Sequence, residues 1–304
     1  MSDTIQAVVM AAFAGDSLAL GPHWDYSPEH ILDTHGRVDR LLPPSMKYHQ
    51  GKEAGDFTHY GDQTLVLLES VAAVKGFDLQ DFFARWQALF KDYDGYVDGA
   101  TRMTLQRIEF GEGPQTSGSN SNDLAGASRI GPLFAALHND PKALIAAARA
   151  QTAMTHAHPD VVWAAEFFAR AVLKALDGTD PVAAMQAAAA ELPAEAKNIV
   201  GWVEDGLSLL SEDPVKATAK FGSTCHVNEA FPAAVQSVAH CPNDLKNCLV
   251  DCVMAGGDSS ARAMLAGMLV AAFPGNGGLQ AIPQDWRNGL KKKDAISGAL
   301  NTLA

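Results

Sequence analysis

Two segments of the sequence place a carboxylate and hydroxyl groups where an apolar helix is expected to begin. In the first, Asp62 is followed by Gln63 and Thr64, and in the second, Asp258 is followed by two serines that end at Ser260. An aspartate at such a position stabilises the free N–H groups of the first turn, so each segment is equally well explained as a simple cap. If the two helix starts met in space, their oxygen atoms would gather around a hard cation such as Mg²⁺.

Two groups in the N-terminal part of the chain are candidates for acid–base chemistry. Asp16 lies in an apolar helical pattern, where a buried acid either pairs with a neighbouring turn or serves a site. His23 is a candidate general base, because an imidazole titrates near neutral pH. Two alternatives stay open: His23 only packs beside Trp24, or Asp25 is the acid of this segment.

Two polar loops are candidates for ligand binding. Residues 111–123 are rich in Gly, Ser and Asn and are predicted to form a loop, of which residues 113–123 are the candidate ligand-binding part. The second loop, residues 155–159, carries two histidines two apart, a pattern that can bind metal but more often faces solvent or caps a helix. The candidate ligand-binding residues of the two loops are Ser119, Asn120, Ser121, Asn122 and His156.

The elements that must position these residues are predicted to be helices throughout. Apolar positions recur at helical spacing, Ala-rich runs favour helix, and no alternating run is long enough to indicate a strand. No linker or repeat divides the chain, so we expect one all-α domain over residues 1–304. The predicted helices span 3–20, 28–34, 62–75, 79–90, 98–109, 128–138, 141–153, 159–176, 181–190, 195–211, 214–219, 228–239, 244–254, 258–272 and 283–290.

Charge and composition exclude several classes of partner. The 23 basic and 35 acidic residues give a formal charge of −12, which disfavours nucleic acid and anionic membranes as partners. The first residues lack the basic region of a secretory signal, and the four cysteines lack the spacing of a paired-CxxC zinc site. We therefore expect a cytoplasmic protein with reduced thiols. No GxSxG, P-loop or GxGxxG motif occurs.

Taken in order, these segments resemble the signature blocks of the ADP-ribosylglycohydrolase family. The matching blocks cover about residues 8–290 and are Gly15-Asp16-Ser17-Leu18, Asp62-Gln63-Thr64, Ser119 to Asn122 with Arg129 to Leu133, Thr155 to Pro159, Gly256 to Ser260, and Gly267 with Ala281 to Trp286. The resemblance implies an orthogonal multi-helix fold. It also implies a cleft in which ADP-ribose lies across one or two Mg²⁺ ions while a glycosidic bond is cleaved.

The chain departs from the family pattern at the metal-binding blocks. Gln63 replaces one family aspartate, Ser260 replaces another, and Ala261 replaces a threonine. Two of four family carboxylates remain, and Mg²⁺ depends on carboxylates because it gives up water reluctantly. We therefore expect one Mg²⁺ ion or none, with Asp62, Gln63, Asp258 and Ser260 as candidate ligands. The candidate catalytic residues are Asp16, His23, Asp62 and Asp258.

Three functions are compatible with these residues. The first is a hydrolase that cleaves an N- or O-glycosidic bond to ADP-ribose or a related ribosyl substrate with a reduced metal site. The second is a catalytically degenerate ADP-ribose-binding or structural protein, because the family includes lens crystallins and a fold does not fix an activity. The third is a metal-independent enzyme in which His23 acts with Asp16 or Asp62 on another small substrate. The expected partner is a small-molecule or ADP-ribosylated substrate, and nothing in the sequence specifies an oligomeric state.

Overall fold

The computed structural model describes residues 1–304, which form α-helices and short 3₁₀ turns without a β-strand. The predicted all-α class is confirmed. No helix combines the length and the apolar character that crossing a membrane requires. The helices are α1 (Asp3–Ala19), α2 (Pro28–His35), α3 (His59–Val74), α4 (Leu79–Leu89), α5 (Gly99–Glu109), α6 (Ala125–Ser128), α7 (Gly131–Leu137), α8 (Pro141–Ala153), α9 (Pro159–Leu176), α10 (Pro181–Ala190), α11 (Lys197–Ser208), α12 (Pro214–Phe221), α13 (Val227–His240), α14 (Leu245–Met254), α15 (Ser259–Ala272), α16 (Gln284–Gly289) and α17 (Lys293–Leu303).

Helices α1 and α15 pack against each other at the centre of the molecule, and every residue of α15 is buried. Glycines permit this close approach. A Cβ atom at Gly15 would lie 2.9 Å from the carbonyl oxygen of Ala263, and one at Gly267 would lie 3.2 Å from that of Ala11. These pairs show that the two helices run antiparallel. The C-terminal end of α1 therefore lies beside the start of α15, where two of the family-like blocks are.

The starts of α3 and α15 differ from the expected caps. Helix α3 begins three residues earlier than predicted, because the Thr58 hydroxyl accepts a hydrogen bond from the Tyr60 N–H and caps it. Asp62 therefore lies inside the first turn rather than at the cap. Asp258 does occupy the N-cap position of α15, but its side chain makes no capping hydrogen bond. Both carboxylates are thus free to interact with other parts of the chain.

The segment between α1 and α3 crosses the start of α15. The Trp24 N–H donates to the carbonyl oxygen of Gly257 at 3.0 Å, and the Gly257 N–H donates to that of Asp25 at 2.6 Å. Gly256 and Gly257 have φ values of +71° and +65°, a conformation that strains other residues. A Cβ at Gly257 would also lie 2.0 Å from the carbonyl oxygen of Ser223. Glycine is therefore required where three segments meet.

Two helix predictions were wrong in detail. The predicted helix 128–138 is divided into α6 and α7, and Gly131 and Pro132 lie at the start of α7. The C-terminal α17 was not predicted; it begins at Lys293, the last residue of a run of three lysines, and contains Gly298. Only Ile296 and Leu300 of α17 are buried, so tertiary packing of a narrow apolar stripe stabilises it.

Candidate functional site

The first turns of α3 direct neighbouring side chains to different surroundings. Successive residues of an α-helix are rotated by about 100°, so adjacent side chains leave the helix in different directions. Tyr60 contacts Asp258, Asp62 contacts Lys52, and Gln63 contacts Trp86. The predicted ligands Asp62 and Gln63 therefore diverge.

Asp62 is neutralised by groups of the chain itself. Its Oδ2 atom accepts a hydrogen bond from the Lys52 ammonium, and the phenol of Tyr93 donates to the same oxygen at 2.6 Å. Both members of the Lys52–Asp62 pair are largely buried, with side chains 17% and 15% exposed. A surface cavity of about 410 Å³ lies against this pair, and its wall also includes Glu69 and Lys292. A protein cation is thus already bound at the carboxylate that was expected to hold Mg²⁺.

Gln63 is committed to the core. Its Oε1 atom accepts hydrogen bonds from Trp86 Nε1 and from Arg129 Nη1, both at 2.8 Å. Its Nε2 atom donates to the carbonyl oxygen of His59 at 3.1 Å. Both lone pairs of the amide oxygen are used, and one faces a buried guanidinium. The structure therefore does not support Gln63 as a metal ligand.

Asp16 joins the ends of three helices. Its carboxylate accepts hydrogen bonds from the Thr58 N–H at 2.9 Å, from the Thr58 hydroxyl at 2.5 Å and from the Ser260 hydroxyl at 2.5 Å. Burial raises its pKa to about 6, against the lowering effect of these hydrogen bonds. This geometry agrees with the alternative in which Asp16 pairs with a neighbouring turn. Ser260, a predicted metal ligand, donates its proton to Asp16.

Asp258 is fully buried beneath two aromatic side chains. Its Oδ2 atom accepts hydrogen bonds from the Tyr60 phenol at 2.7 Å and from Trp24 Nε1 at 3.2 Å, whereas its Oδ1 atom has no partner. Trp24 has a φ of 68°, which is strained for a residue other than glycine. The burial of Asp258 raises its pKa, and its hydrogen bonds to Tyr60 and Trp24 act in the opposite direction.

These contacts decide whether the residues fit the family's Mg²⁺ ions. Asp62 and Asp258 have no hydrogen-bond partner in common, and the first is already paired with an ammonium group. Ser260 is bonded to Asp16, and Ala261 offers no oxygen in its side chain. The donor set thus lacks the convergent carboxylates that Mg²⁺ needs to lose its water. The residues present do not fit a family-type magnesium centre.

Aromatic rings and imidazoles fill the space above Asp258. His23 stacks on Trp24 with ring centroids 4.6 Å apart, and neither of its ring nitrogens has a hydrogen-bond partner. Burial holds the pKa of His23 well below its ordinary value, so the ring is neutral. This contact agrees with the alternative in which His23 only packs beside Trp24. The cluster, which we call the aromatic box, consists of His23, Trp24, Tyr48, His49, His59, Tyr60 and Tyr96.

Two acidic residues, Asp98 and Asp25, neighbour residues of the aromatic box. His59 Nε2 lies 3.2 Å from Asp98 Oδ2. Burial raises the pKa of Asp98, but the close contact with His59 more than offsets this effect and holds the pKa below its ordinary value. Asp25, the alternative acid of the first loop, pairs instead with His30 at 2.5 Å and accepts the Ser27 N–H at 3.0 Å. Asp25 therefore supports the start of α2.

The two polar loops are joined to each other. The Ser119 N–H and hydroxyl both donate to the carbonyl oxygen of Thr155, at 2.9 and 2.8 Å. His156 is buried, its Nδ1 lies 2.9 Å from the Thr155 hydroxyl, and its Nε2 has no partner. Burial lowers the pKa of His156 to about 3. His158 caps α9 by accepting the N–H of Asp160 at 3.3 Å.

The remaining predicted loop residues are closer to solvent. Asn120 is exposed, and Ser121 is half-buried. The Asn122 Oδ1 atom lies 2.8 Å from His226 Nδ1, and its carbonyl oxygen accepts the Val227 N–H at 2.8 Å. These contacts fix the loop against the start of α13.

Sequence reasoning missed two residues that the fold brings to Asp258. The ligand atoms of Asp123, Cys225 and Asp258 lie within 4.8 Å of one another. Burial and the charge of Asp258 raise the pKa of Asp123 well above its ordinary value. Asp123 directly follows the polar loop and could have been included with it, whereas no motif marks Cys225.

The fold and the site define an all-α protein whose acids lie between the end of α1 and the starts of α3 and α15, beside a polar loop. The chain belongs to the ADP-ribosylglycohydrolase family, whose sequence profile matches residues 1–304.

Relatives of known sequence and structure cover nearly the whole chain. An uncharacterized protein of Archaeoglobus fulgidus is 23% identical over 298 residues, which are 97% of this chain and 94% of that protein. Crystallin J1A of Tripedalia cystophora is 24% identical over 311 residues, covering 93% and 91%. A solved structure described as an ADP-ribosylglycohydrolase-related protein complex superposes with a TM-score of 0.79 at 22% identity, covering 99% of this chain and 96% of that one. At this identity the structural likeness shows the fold alone.

Proposed function

We propose that the protein is a hydrolase that cleaves an N- or O-glycosidic bond to ADP-ribose or a related ribosyl substrate, and that it does so without Mg²⁺. The observation that carries this proposal is the pair of acids Asp123 and Asp258, whose oxygen atoms lie within 4.8 Å beside the aromatic box. Glycosidic bonds are commonly cleaved by two carboxyl groups of which one is protonated and the other charged.

The two acids have contrasting environments, which suits separate roles. Asp123 is half-buried, and its pKa is raised well above the ordinary value by burial and by the charge of Asp258. It therefore keeps a proton near neutral pH and donates it to the leaving group; a water molecule then bonds to the anomeric carbon and gives a proton back to Asp123. Asp258 lies behind it and accepts hydrogen bonds from Tyr60 and Trp24, which favour its charged form. That charge raises the proton affinity of Asp123 and stabilises the positive charge that develops on the ribose ring.

The surroundings of the acid pair support a ribosyl substrate. Tyr26 and Tyr48 are 54% and 36% exposed, so each offers a ring face on which a planar base can stack. The loop that ends at Asp123 carries exposed backbone and amide groups at Asn120, which suit a diphosphate. Membership of the ADP-ribosylglycohydrolase family supports ADP-ribose as the substrate class.

The test is hydrolysis in the presence of EDTA. Full-length protein is incubated with ADP-ribosyl-arginine, with an ADP-ribosyl-serine peptide and with NAD⁺, and free ADP-ribose is measured by chromatography. Asp123→Asn is expected to lower kcat by about 10²-fold or more, because it removes the general acid. The matched control is Asp205→Asn, at an exposed position of α11, which should retain full activity. Loss of turnover in EDTA that Mg²⁺ restores would contradict the metal-free proposal.

A second candidate is a non-catalytic ADP-ribose-binding or structural protein on the same fold. It is favoured by the contacts of Asp16, Asp62 and Asp258, each of which accepts hydrogen bonds from other groups of this chain. The resemblance to a crystallin supports it as well. Calorimetric titration with ADP-ribose measures directly whether the expected ligand of both candidate functions binds. Binding without turnover of any of the three substrates favours this second function, and no binding at millimolar ADP-ribose excludes ADP-ribose as the ligand of both.

A further inference from the structure

We propose that Asp123, Cys225 and Asp258 form a binding site for a thiophilic divalent cation of the Zn²⁺ class. The site differs from a family-type magnesium centre in its donor atoms and in its elements, since two of its three residues lie outside α3 and α15. Cation binding itself does not depend on the proposed hydrolysis. Its expected consequence, inhibition, rests on the proposed function, because the ion would occupy both acids.

Three segments hold the proposed ligands in place. The Leu124 N–H donates to the carbonyl oxygen of Cys225 at 2.9 Å, which fixes the Asp123 segment against the Cys225 segment. The Asp258 N–H donates to the carbonyl oxygen of Ser223 at 2.8 Å, which fixes α15 against the same segment. Backbone hydrogen bonds therefore set the separation of the ligands before any ion binds. Such preorganisation lowers the free-energy cost of binding.

The size of the cluster suits a small cation. The three ligand atoms lie within 4.8 Å of one another. Zinc bonds of about 2.0 Å to oxygen and about 2.3 Å to sulfur, in tetrahedral geometry, need ligand separations of about 3.3 to 3.5 Å. Side-chain rotations that shorten each separation by up to about 1.5 Å would close the site. No helix has to move.

One buried oxygen of the cluster has no hydrogen-bond partner, although the charge of Arg262 already acts on Asp258. Asp258 is 0% exposed, and its Oδ1 atom has no hydrogen-bond partner. The nearby guanidinium of Arg262 instead donates from Nη2 to the backbone oxygens of Cys252 and Gly256. A buried carboxylate oxygen without a partner is costly, and a bound cation would remove this cost.

Burial and neighbouring negative charges also affect the proton affinities of the ligands. Burial and the neighbouring acids raise the pKa of the Cys225 thiol and of Asp123. Binding of a divalent ion would release the thiol proton and the Asp123 proton to solvent, leaving a thiolate and two carboxylates around the ion. The half-buried position of Cys225 gives the ion a route from solvent.

The donor set determines which cation is preferred. A thiolate is a soft ligand, so it favours Zn²⁺ and Co²⁺ over Mg²⁺, which prefers oxygen. Three protein ligands leave a fourth position for water, as in an open zinc site.

A second trio of potential ligands, His240, Cys241 and Asp251, provides a matched comparison. Its donors are already used: His240 Nδ1 lies 3.1 Å from the carbonyl oxygen of Leu210, and Arg37 donates to Asp251 at 3.3 Å. Cys241 is half-buried like Cys225, so replacing either thiol by serine perturbs the fold to a similar degree. The two cysteine variants therefore distinguish the proposed site from the other trio.

The experiment uses the full chain, freed of metal with a chelator and titrated with Co²⁺. Thiolate coordination gives a charge-transfer band in the near ultraviolet, which we expect to saturate at one ion per chain and to be abolished by Zn²⁺. Cys225→Ser should remove the band, Asp123→Asn should weaken Co²⁺ binding at least about 10-fold, in line with the loss of one metal contact, and Cys241→Ser should leave the band unchanged. Circular dichroism confirms that each variant is folded.

Either of two spectra would overturn the proposal: no charge-transfer band in the unmodified protein, or a band that survives in Cys225→Ser. Millimolar Mg²⁺ should not displace Co²⁺, and displacement would also contradict the soft-ligand assignment. The hydrolysis assay, run with and without Zn²⁺, separates the two proposals. A cobalt band without turnover in EDTA refutes the hydrolase and leaves the cation site, whereas turnover without a band does the reverse.

Discussion

Replacement of the buried His156 by asparagine should make the stability of the protein less sensitive to acid. His156 is 2% exposed, and burial together with the charge of Arg129 lowers its pKa from 6.5 to about 3. The folded protein therefore keeps this ring neutral, while the unfolded chain takes up a proton below pH 6.5. Because the unfolded state binds more protons in that range, the contribution of His156 is full above pH 6.5 and is lost as the pH falls toward 3.

The size of the effect follows from the proton linkage. Each pH unit below the unfolded pKa costs about 1.4 kcal/mol until the folded pKa is reached. Between pH 7.5 and pH 5, only the interval of about 1.5 pH units below the unfolded pKa of 6.5 contributes. His156 therefore lowers the free energy of unfolding by about 2 kcal/mol over this range. Other buried groups titrate in the same range, Asp16 among them, with a pKa of about 6. The unmodified protein and the His156→Asn variant share those groups, so the difference between the two does not contain the contribution of those groups.

The assay is urea unfolding of the unmodified protein and of His156→Asn at pH 7.5 and pH 5. Asparagine retains a polar atom near the Thr155 hydroxyl, which lies 2.9 Å from His156 Nδ1, and it cannot titrate. Any loss of packing appears at both pH values and cancels in the difference. The free energy of unfolding of the unmodified protein should fall by about 2 kcal/mol more than that of the variant. Equal losses would show that the histidine is not held neutral, and the reasoning from burial would be refuted.

Three further substitutions test the other contacts of the site. Lys52→Met removes the ammonium group that pairs with the largely buried Asp62. It should lower the free energy of unfolding in urea by about 1 to 3 kcal/mol, because Tyr93 still donates a hydrogen bond to Asp62. A larger loss would show that Tyr93 alone does not stabilise the carboxylate. Gln63→Asp restores the family's acid but shortens the side chain that bridges a tryptophan and an arginine. It should lower the melting temperature, and Mg²⁺ should not restore it; a rise of several degrees with Mg²⁺ would contradict the poor fit to that ion. Gly257→Ala adds a Cβ 2.0 Å from a backbone oxygen at a φ of +65°, so it should destabilise the chain by more than about 2 kcal/mol and weaken Co²⁺ binding. A stable variant with unchanged Co²⁺ affinity would show that this crossing does not position the cation site.

The sequence by itself determined the helical class and the family. Caps, prolines at helix starts and Ala-rich runs act within a few residues, so most helices were predicted near their observed bounds. Six ordered blocks were enough to indicate the family, which the match over residues 1–304 confirms. The apolar helical pattern around Asp16 indicated a buried acid, and Asp16 is buried.

The tertiary structure decided which of these acids can act together. Asp62 and Gln63 are neighbours in the sequence, but helical rotation directs one to Lys52 and the other to the core. Asp123, Cys225 and Asp258 come from distant segments, and backbone hydrogen bonds across those segments bring their side chains within 4.8 Å. No local spacing encodes such a contact, because it depends on how the loops and α15 pack around a common core. Local preferences therefore specify the helices, whereas long-range packing specifies the chemistry of the site.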